Sequence, residues 1–173
     1  MEVSIIPASE TRIIIEPEIY GAQAWAERHG VIFAWIAEML ELRTTLVQPG
    51  GSINFYLRGR FDNYRAVAPE WTFTDATWVA LGRLTDFPKP ITQPPPRTAS
   101  IFLNFQNRGV ICAPFNRLAY ASGSGPHQDW GGPEQWLVAS NKASTAGQVR
   151  ADTVGDMLQV IRRDFLRTSG RMG

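Results

Sequence analysis

The sequence contains little cysteine and histidine, and this shortage excludes two kinds of site. Among its 173 residues there is one cysteine, Cys112, and there are two histidines, His29 and His127. A single cysteine excludes an internal disulfide. A structural zinc site usually takes four Cys or His ligands, so the same inventory argues against one. We therefore expect no metal site, and we expect no cofactor.

Long apolar runs and an excess of one charge are also missing. The longest apolar stretch, 31–37, is far shorter than the ~20 residues that span a bilayer. The N-terminus has no basic region followed by an apolar run, so we expect a cytoplasmic protein without a targeting signal. The net charge of +1 gives no reason to expect nucleic acid or a membrane as a partner.

What the sequence does contain is enough apolar material for one core. Hydrophobic residues make up 44% of the chain and aromatic residues 11%, which argues against disorder. The length is below the ~250 residues at which chains usually divide into domains. We therefore expect a single domain over 1–173.

The first 42 residues predict a strand, a helix and one ambiguous segment. The β-branched run 11–15 favours a strand that ends near Pro17. Residues 20–29 are rich in Ala, Gln and Glu and predict a helix that Gly30 ends. Residues 31–42 combine a strand-like half with a helix-like half, and periodicity does not decide between them.

The next segments predict an antiparallel meander. Residues 42–48 and 52–59 predict two strands joined by the Pro-Gly-Gly turn at 49–51. Residues 61–69 are irregular, and 70–74 alternate as a further strand does.

The second half begins with a loop and ends with a helix. Five prolines within 82–98 exclude a helix or a central strand and predict a rigid loop. A short strand at 100–104 and a turn at 107–109 follow, and then a surface loop at 121–132 and a flexible connection at 139–151. Asp152 or Thr153 could cap the final helix. Its apolar face comprises Val154, Met157, Leu158, Ile161 and Phe165. This order of elements predicts an α+β fold.

The residues around Cys112 form a spacing pattern. A lone cysteine is more often a small buried hydrophobe than a nucleophile. Here Asn104 lies eight residues before Cys112, Gly109 three before it, and Ile111 directly before it. Tyr64 and Pro69 precede the 70–74 strand, and Trp130 follows the cysteine.

This arrangement resembles the ubiquitin-conjugating enzyme family over about residues 40–166. Members have a meander, a Tyr-Pro-x-x-Pro-Pro segment and a His-Pro-Asn motif eight residues before the catalytic cysteine, which Gly-x-Ile usually precedes. Phe102-Leu103 stands in place of His-Pro, one upstream proline is kept, and 116–132 is longer than expected. The chain is therefore similar to divergent bacterial members in ubiquitin-like modification systems, some of them antiviral.

The resemblance implies an α+β ubiquitin-conjugating-enzyme-like fold, a four-stranded antiparallel meander flanked by helices. It implies that Cys112 accepts a ubiquitin-like protein as a thioester from an activating enzyme and passes it to an amine of a target protein. Asn104 would donate to the oxyanion, an interaction worth ~2.7–4 kcal/mol in the best-measured case, or it would stabilise a turn. His127 and Asp129 could deprotonate the amine, or could be an exposed loop histidine and a helix cap.

Two other functions stay open at this point. One is a catalytically inactive interaction module on the same fold, with Cys112 as a buried residue. The other is a cysteine hydrolase that uses Cys112 with His127 and Asp129, since such triads are recognised by their geometry and not by their order in the sequence.

Overall fold

The computed structural model describes residues 5–79, 81–91, 100–138 and 151–173, which include two long α-helices, a four-stranded sheet and two short strand pairs. The helices are α1 (Ala8–Arg28) and α2 (Val154–Phe165). The strands are β1 (Ile32–Ile36), β2 (Glu41–Val47), β3 (Asn54–Arg60), β4 (Glu70–Thr74), β5 (Pro88–Pro90), β6 (Phe102–Phe105), β7 (Arg108–Ile111) and β8 (Thr168–Arg171). The α+β class predicted from the sequence is confirmed.

Strands β1 to β4 form an antiparallel meander in chain order. The strands predicted at 42–48, 52–59 and 70–74 are confirmed as β2, β3 and β4. Gly50 and Gly51 take φ values of +100° and +85° in the connecting turn, a conformation that glycine adopts without steric cost. One face of the sheet carries Phe55, Leu57, Trp71 and Phe73, all fully buried. This face forms the core with the two helices.

The strand predicted at 11–15 is wrong, because these residues lie within α1. Pro17 is inside the same helix and does not end it. Propensity differences among ordinary residues are below ~0.7 kcal/mol each, so the burial of one helix face outweighs them. That face comprises Thr11, Ile15, Ile19, Ala22, Trp25 and Ala26. The helix predicted at 20–29 is confirmed, and Gly30 follows it with φ +63°.

The ambiguous segment 31–42 contains both kinds of structure. It forms β1, a 3-10 turn at Ala37–Met39, and the start of β2. Leu40 joins the turn to β2 with φ +48°, which allows the chain to reverse in so few residues.

The second half of the chain forms the hairpin β6–β7 and the pair β5–β8. The strand predicted at 100–104 is confirmed at Phe102–Phe105. The turn predicted at 107–109 lies one residue earlier, because Gln106 and Asn107 have the left-handed φ values that a two-residue hairpin turn requires. Of the predicted proline-rich loop, 92–98 lie outside the described residues. The described part includes β5, which pairs only with β8, an arrangement compatible with proline. The connection predicted at 139–151 also lies outside them, except for Ala151.

Helix α2 begins as predicted, with Thr153 as its N-cap. The Thr153 hydroxyl accepts a hydrogen bond from the Asp156 amide at 3.2 Å. Glu18 of α1 joins this helix start to the segment before β4. Its carboxylate accepts hydrogen bonds from the Val154 amide (3.0 Å), the Tyr64 hydroxyl (2.7 Å) and the Arg65 guanidinium. The Tyr64 ring is fully buried. Within the described residues, no helix combines the length and apolar character needed to cross a bilayer.

Candidate active site

Cys112 follows β7 directly, and its amide is held by the backbone of the neighbouring segment. Its amide donates to the Ile101 carbonyl at 2.6 Å, which extends the β6–β7 pairing by one step. The residue is half-buried, and it is the free cysteine of the chain. The hairpin therefore ends with a thiol that is fixed in position and still partly accessible.

Asn116 fixes the turn that follows Cys112. Its side-chain amide donates to the Ile111 carbonyl at 2.7 Å and accepts from the Trp71 amide at 2.9 Å and the Leu118 amide at 3.3 Å. Asn116 is fully buried, so these bonds form away from water. Sequence reasoning missed this residue. The signal that could have found it is an asparagine before a short turn, since Asn commonly caps such turns.

A second contact ties the same turn to the strand behind it. The Arg117 amide donates to the Pro69 carbonyl at 2.9 Å, and its guanidinium lies 3.0 Å from the Glu70 carboxylate. The segment after the thiol is thus anchored on the start of β4.

The loop predicted at 121–132 returns His127 to the thiol. Nε2 of His127 lies 2.6 Å from Sγ of Cys112. The His127 amide donates to the Ala119 carbonyl, and the His127 carbonyl accepts from the Ala121 amide, at 3.1 and 3.2 Å. The loop closes this tightly because Gly125 has no side chain: a Cβ there would lie 2.2 Å from the Ala119 carbonyl carbon.

Two side chains lie beside the His127 ring, and a third supports one of them. Oδ1 of Asp129 lies 3.7 Å from Nδ1, with the Asp129 side chain 81% exposed. Trp130 stacks on the imidazole with ring centroids 3.5 Å apart and planes 3° apart. Tyr120 packs edge-on against Trp130, and its hydroxyl donates to the Pro114 carbonyl at 2.7 Å. The imidazole thus faces the thiol with one nitrogen and the carboxylate with the other.

Burial favours the neutral forms of both Cys112 and His127. It raises the pKa of the Cys112 thiol to about 11. It also lowers the pKa of His127, while the Asp129 carboxylate acts in the opposite direction. The neutral thiol therefore donates to Nε2, and we assign the ring proton to Nδ1, facing Asp129, from these partners. In this state the imidazole is ready to accept the thiol proton when the sulfur attacks an electrophile.

Asn104 is not brought to the thiol. It lies exposed on β6, paired with Gly109, three residues before Cys112. At ~3.3 Å per residue this is ~10 Å along the hairpin. Of the four predicted site residues, the structure brings together Cys112, His127 and Asp129, and the oxyanion role of Asn104 stays a prediction.

The chemistry of the site is that of a nucleophile with an adjacent base. Across the described ranges, no group of three or more His, Cys, Asp or Glu side chains could hold a metal ion. No family model, no curated protein and no solved structure matches this chain. The functional argument therefore depends on the fold and on the geometry around Cys112.

Proposed function

We propose that the chain is a divergent ubiquitin-like-protein conjugating enzyme, with a ubiquitin-conjugating-enzyme-like fold and Cys112 as the thioester carrier. One observation carries the proposal. A half-buried thiol ends the hairpin that follows a four-stranded meander, and an imidazole lies 2.6 Å from its sulfur.

The order and contacts of the elements support the proposal. A helix, a four-stranded antiparallel meander, a cysteine-bearing turn and a C-terminal helix follow one another as in that family. Tyr64 and Pro69, which resemble the family's upstream motif, each make a hydrogen bond to another part of the fold. Tyr64 bonds Glu18, and the Pro69 carbonyl accepts from Arg117 in the turn after Cys112.

The first transfer loads the carrier. His127 takes the Cys112 proton, and the thiolate attacks the carbonyl carbon of the activating enzyme's thioester. A bond forms from that carbon to Sγ, and the bond to the activating enzyme's sulfur breaks. The leaving thiolate takes the proton from the imidazolium.

The second transfer passes the acyl group from Cys112 to the acceptor amine. The incoming amine attacks the same carbonyl carbon, and Sγ leaves as the thiolate. The amine loses a proton to His127, whose Nδ1 faces Asp129. The proton then returns to the Cys112 thiolate, and the acceptor keeps an amide bond. The partners are a ubiquitin-like protein, its activating enzyme and a target protein, in a reducing cytoplasm that keeps the thiol free.

A cysteine hydrolase is the second candidate, favoured by the Cys112–His127–Asp129 line. Its distances are 2.6 Å for the sulfur–nitrogen contact and 3.7 Å for the nitrogen–carboxylate contact. Such hydrolases use a thiolate whose pKa is strongly lowered by its histidine. Burial raises the pKa of the Cys112 thiol here. The two candidates are separated by the fate of the acyl group, which a carrier passes to an amine and a hydrolase passes to water. The inactive module has less support, because His127 contacts a partly accessible thiol.

The experiment is a thioester assay with a cognate activating enzyme, ATP and its ubiquitin-like protein, resolved on a non-reducing gel. We expect a shifted band that thiol reductant removes and that Cys112→Ala lacks. Cys112→Ser should give a band that resists reductant, because an oxyester replaces the thioester. Asn54→Ala is the matched control for loading, since Asn54 is exposed at the start of β3 and has no assigned role in the site.

Two results would overturn the proposal. One is the absence of an adduct with every activating system tested, together with slow alkylation of Cys112 in the folded protein. The other is release of the acyl group to water without transfer to any amine, which identifies the hydrolase.

A further inference from the structure

Helix α1 has an uncovered apolar face in addition to its buried one. Ile13 and Tyr20 are 73% and 74% exposed. Pro17 and Ala24 are exposed too, and the spacing of 13, 17, 20 and 24 places all four on one side of the helix. Ile14 and Gly21 extend this face along one flank. We call these six residues the α1 stripe.

A helix that is apolar on both sides is normally covered on both sides. The inner face of α1 packs into the core through Ile15, Ile19 and Trp25. The Trp25 indole also donates to Gln159 of α2 at 2.7 Å. The α1 stripe lies on the other side, directed to solvent, and is therefore a candidate protein interface.

We propose that the α1 stripe binds the same stripe of a second copy of this chain, with the two helices antiparallel about a two-fold axis. The sizes of the side chains support the antiparallel direction. The large Ile13 and Ile14 lie towards the N-terminal end of the stripe, Pro17 and Tyr20 flank its centre, and the small Gly21 and Ala24 lie towards its C-terminal end. Antiparallel pairing centred between Pro17 and Tyr20 places the large end of each stripe against the small end of the other.

The charges beside the stripe support the same arrangement. Glu10 and Arg28 are 18 residues apart, which is five helical turns, so they lie on the same flank. In a two-fold antiparallel pair, equivalent flanks meet. Glu10 then lies opposite Arg28 of the second copy, and symmetry forms this contact twice. A parallel pair would instead leave Glu10 five helical turns away from Arg28 of the second copy. In the antiparallel pair the two helix dipoles also point in opposite directions, which is the favourable arrangement.

The test is sedimentation velocity from about 1 to about 100 µM, because a single helix pair is at the weak, concentration-dependent end of interfaces. We expect a monomer–dimer equilibrium in that range. Ile13→Lys should raise the dimer dissociation constant more than about tenfold, since symmetry buries the lysine twice. Val79→Lys is the matched control, because Val79 is 74% exposed and lies outside α1. It should leave the equilibrium unchanged.

A charge reversal tests the direction of the helices. Glu10→Arg and Arg28→Glu should each weaken the dimer, and the double variant should restore it. Circular dichroism of each variant checks that α1 stays folded, and Ile13→Ala repeats the apolar test with a helix-favouring residue. A chain that stays monomeric throughout the range overturns the proposal. So does a dimer that Ile13→Lys leaves intact, or one that the double reversal fails to restore. Loss of activating-enzyme binding without any change in association would assign the stripe to that partner instead.

Discussion

The two ring nitrogens of His127, which would carry a transferred proton, face different neighbours. Cys112 lies at Nε2, Asp129 at Nδ1, and Trp130 covers one ring face. Burial and the Asp129 contact act on the charge of the ring in opposite directions. Burial lowers the pKa of His127, and the carboxylate raises it.

Asp129→Asn should lower the pKa of His127 further, because it removes the charge that stabilises the imidazolium. The change should be small, since an exposed carboxylate is screened by water and salt. A proton NMR titration at low ionic strength measures it, with the wild type as the reference. An unchanged His127 pKa would show that Asp129 does not act on the ring.

Two asparagines close to each other in the sequence have contrasting environments. Asn116 is buried with three hydrogen bonds, whereas Asn104 is exposed on β6. Asn116→Ala should lower the free energy of unfolding by about 2–4 kcal/mol, because it leaves buried backbone groups without partners. Asn104→Ala should change it by less than about 0.5 kcal/mol. Urea unfolding compares the two, and equal effects would contradict the assigned roles.

Among the elements, β7 approaches the segment before β5 very closely. A Cβ on Gly109 would lie 2.1 Å from the buried Phe87 ring, whereas one on Gly155 in α2 would have nothing nearer than 3.9 Å. Gly109→Ala should therefore cost about 1–3 kcal/mol of stability. Gly155→Ala should add up to about 1 kcal/mol through helix propensity. Chemical denaturation measures both changes in the free energy of unfolding and shows whether their signs are opposite. A neutral Gly109→Ala would contradict this packing.

The meander could be predicted from the sequence because its signals are local. Alternating residues and the Pro-Gly-Gly turn at 49–51 define β2 and β3 without reference to the rest of the chain. The same reasoning failed at 11–15, where β-branched residues form part of α1. Helix structure there depends on burial against the core, which no local preference reports.

The site could be predicted only in part for a similar reason. Cys112, His127 and Asp129 carry recognisable chemistry, and they meet in the fold. The distance of Asn104 from the thiol follows from where the β6–β7 turn falls, and that turn lies one residue earlier than predicted. The role of Asn116 depends on tertiary contacts with Trp71, which spacing does not indicate.

For the whole molecule, the Cys112–His127 pair makes the free energy of unfolding depend on pH on both the acidic and the alkaline side. The pKa of His127 is lowered in the folded state, so its contribution is lost as pH falls below the ordinary value of 6.5. The pKa of Cys112 is raised from 9.0 to about 11, so its contribution is lost as pH rises above 9. The pair therefore stabilises the fold most between these two limits.

The contribution of the pair within this pH range can be measured as a difference between two unfolding free energies. The unfolding free energy of the wild type minus that of the Cys112→Ala/His127→Gln double variant should be constant from about pH 6.5 to pH 9. It should shrink on either side. Thermal or urea unfolding over a pH series provides the values, and the subtraction removes contributions from the other titrating groups. A difference that grows at low pH would contradict a buried neutral imidazole.

The central claim is that Cys112 carries an acyl group and releases it to an amine. Its most direct measurement is intact-mass spectrometry of the protein after reaction with a C-terminal thioester of a ubiquitin-like protein, followed by addition of free lysine. We predict an acyl adduct on Cys112 that hydroxylamine cleaves, that Cys112→Ala lacks, and that lysine discharges as an amide faster than water hydrolyses it. An adduct lost only by hydrolysis, or no adduct at all, would contradict the claim.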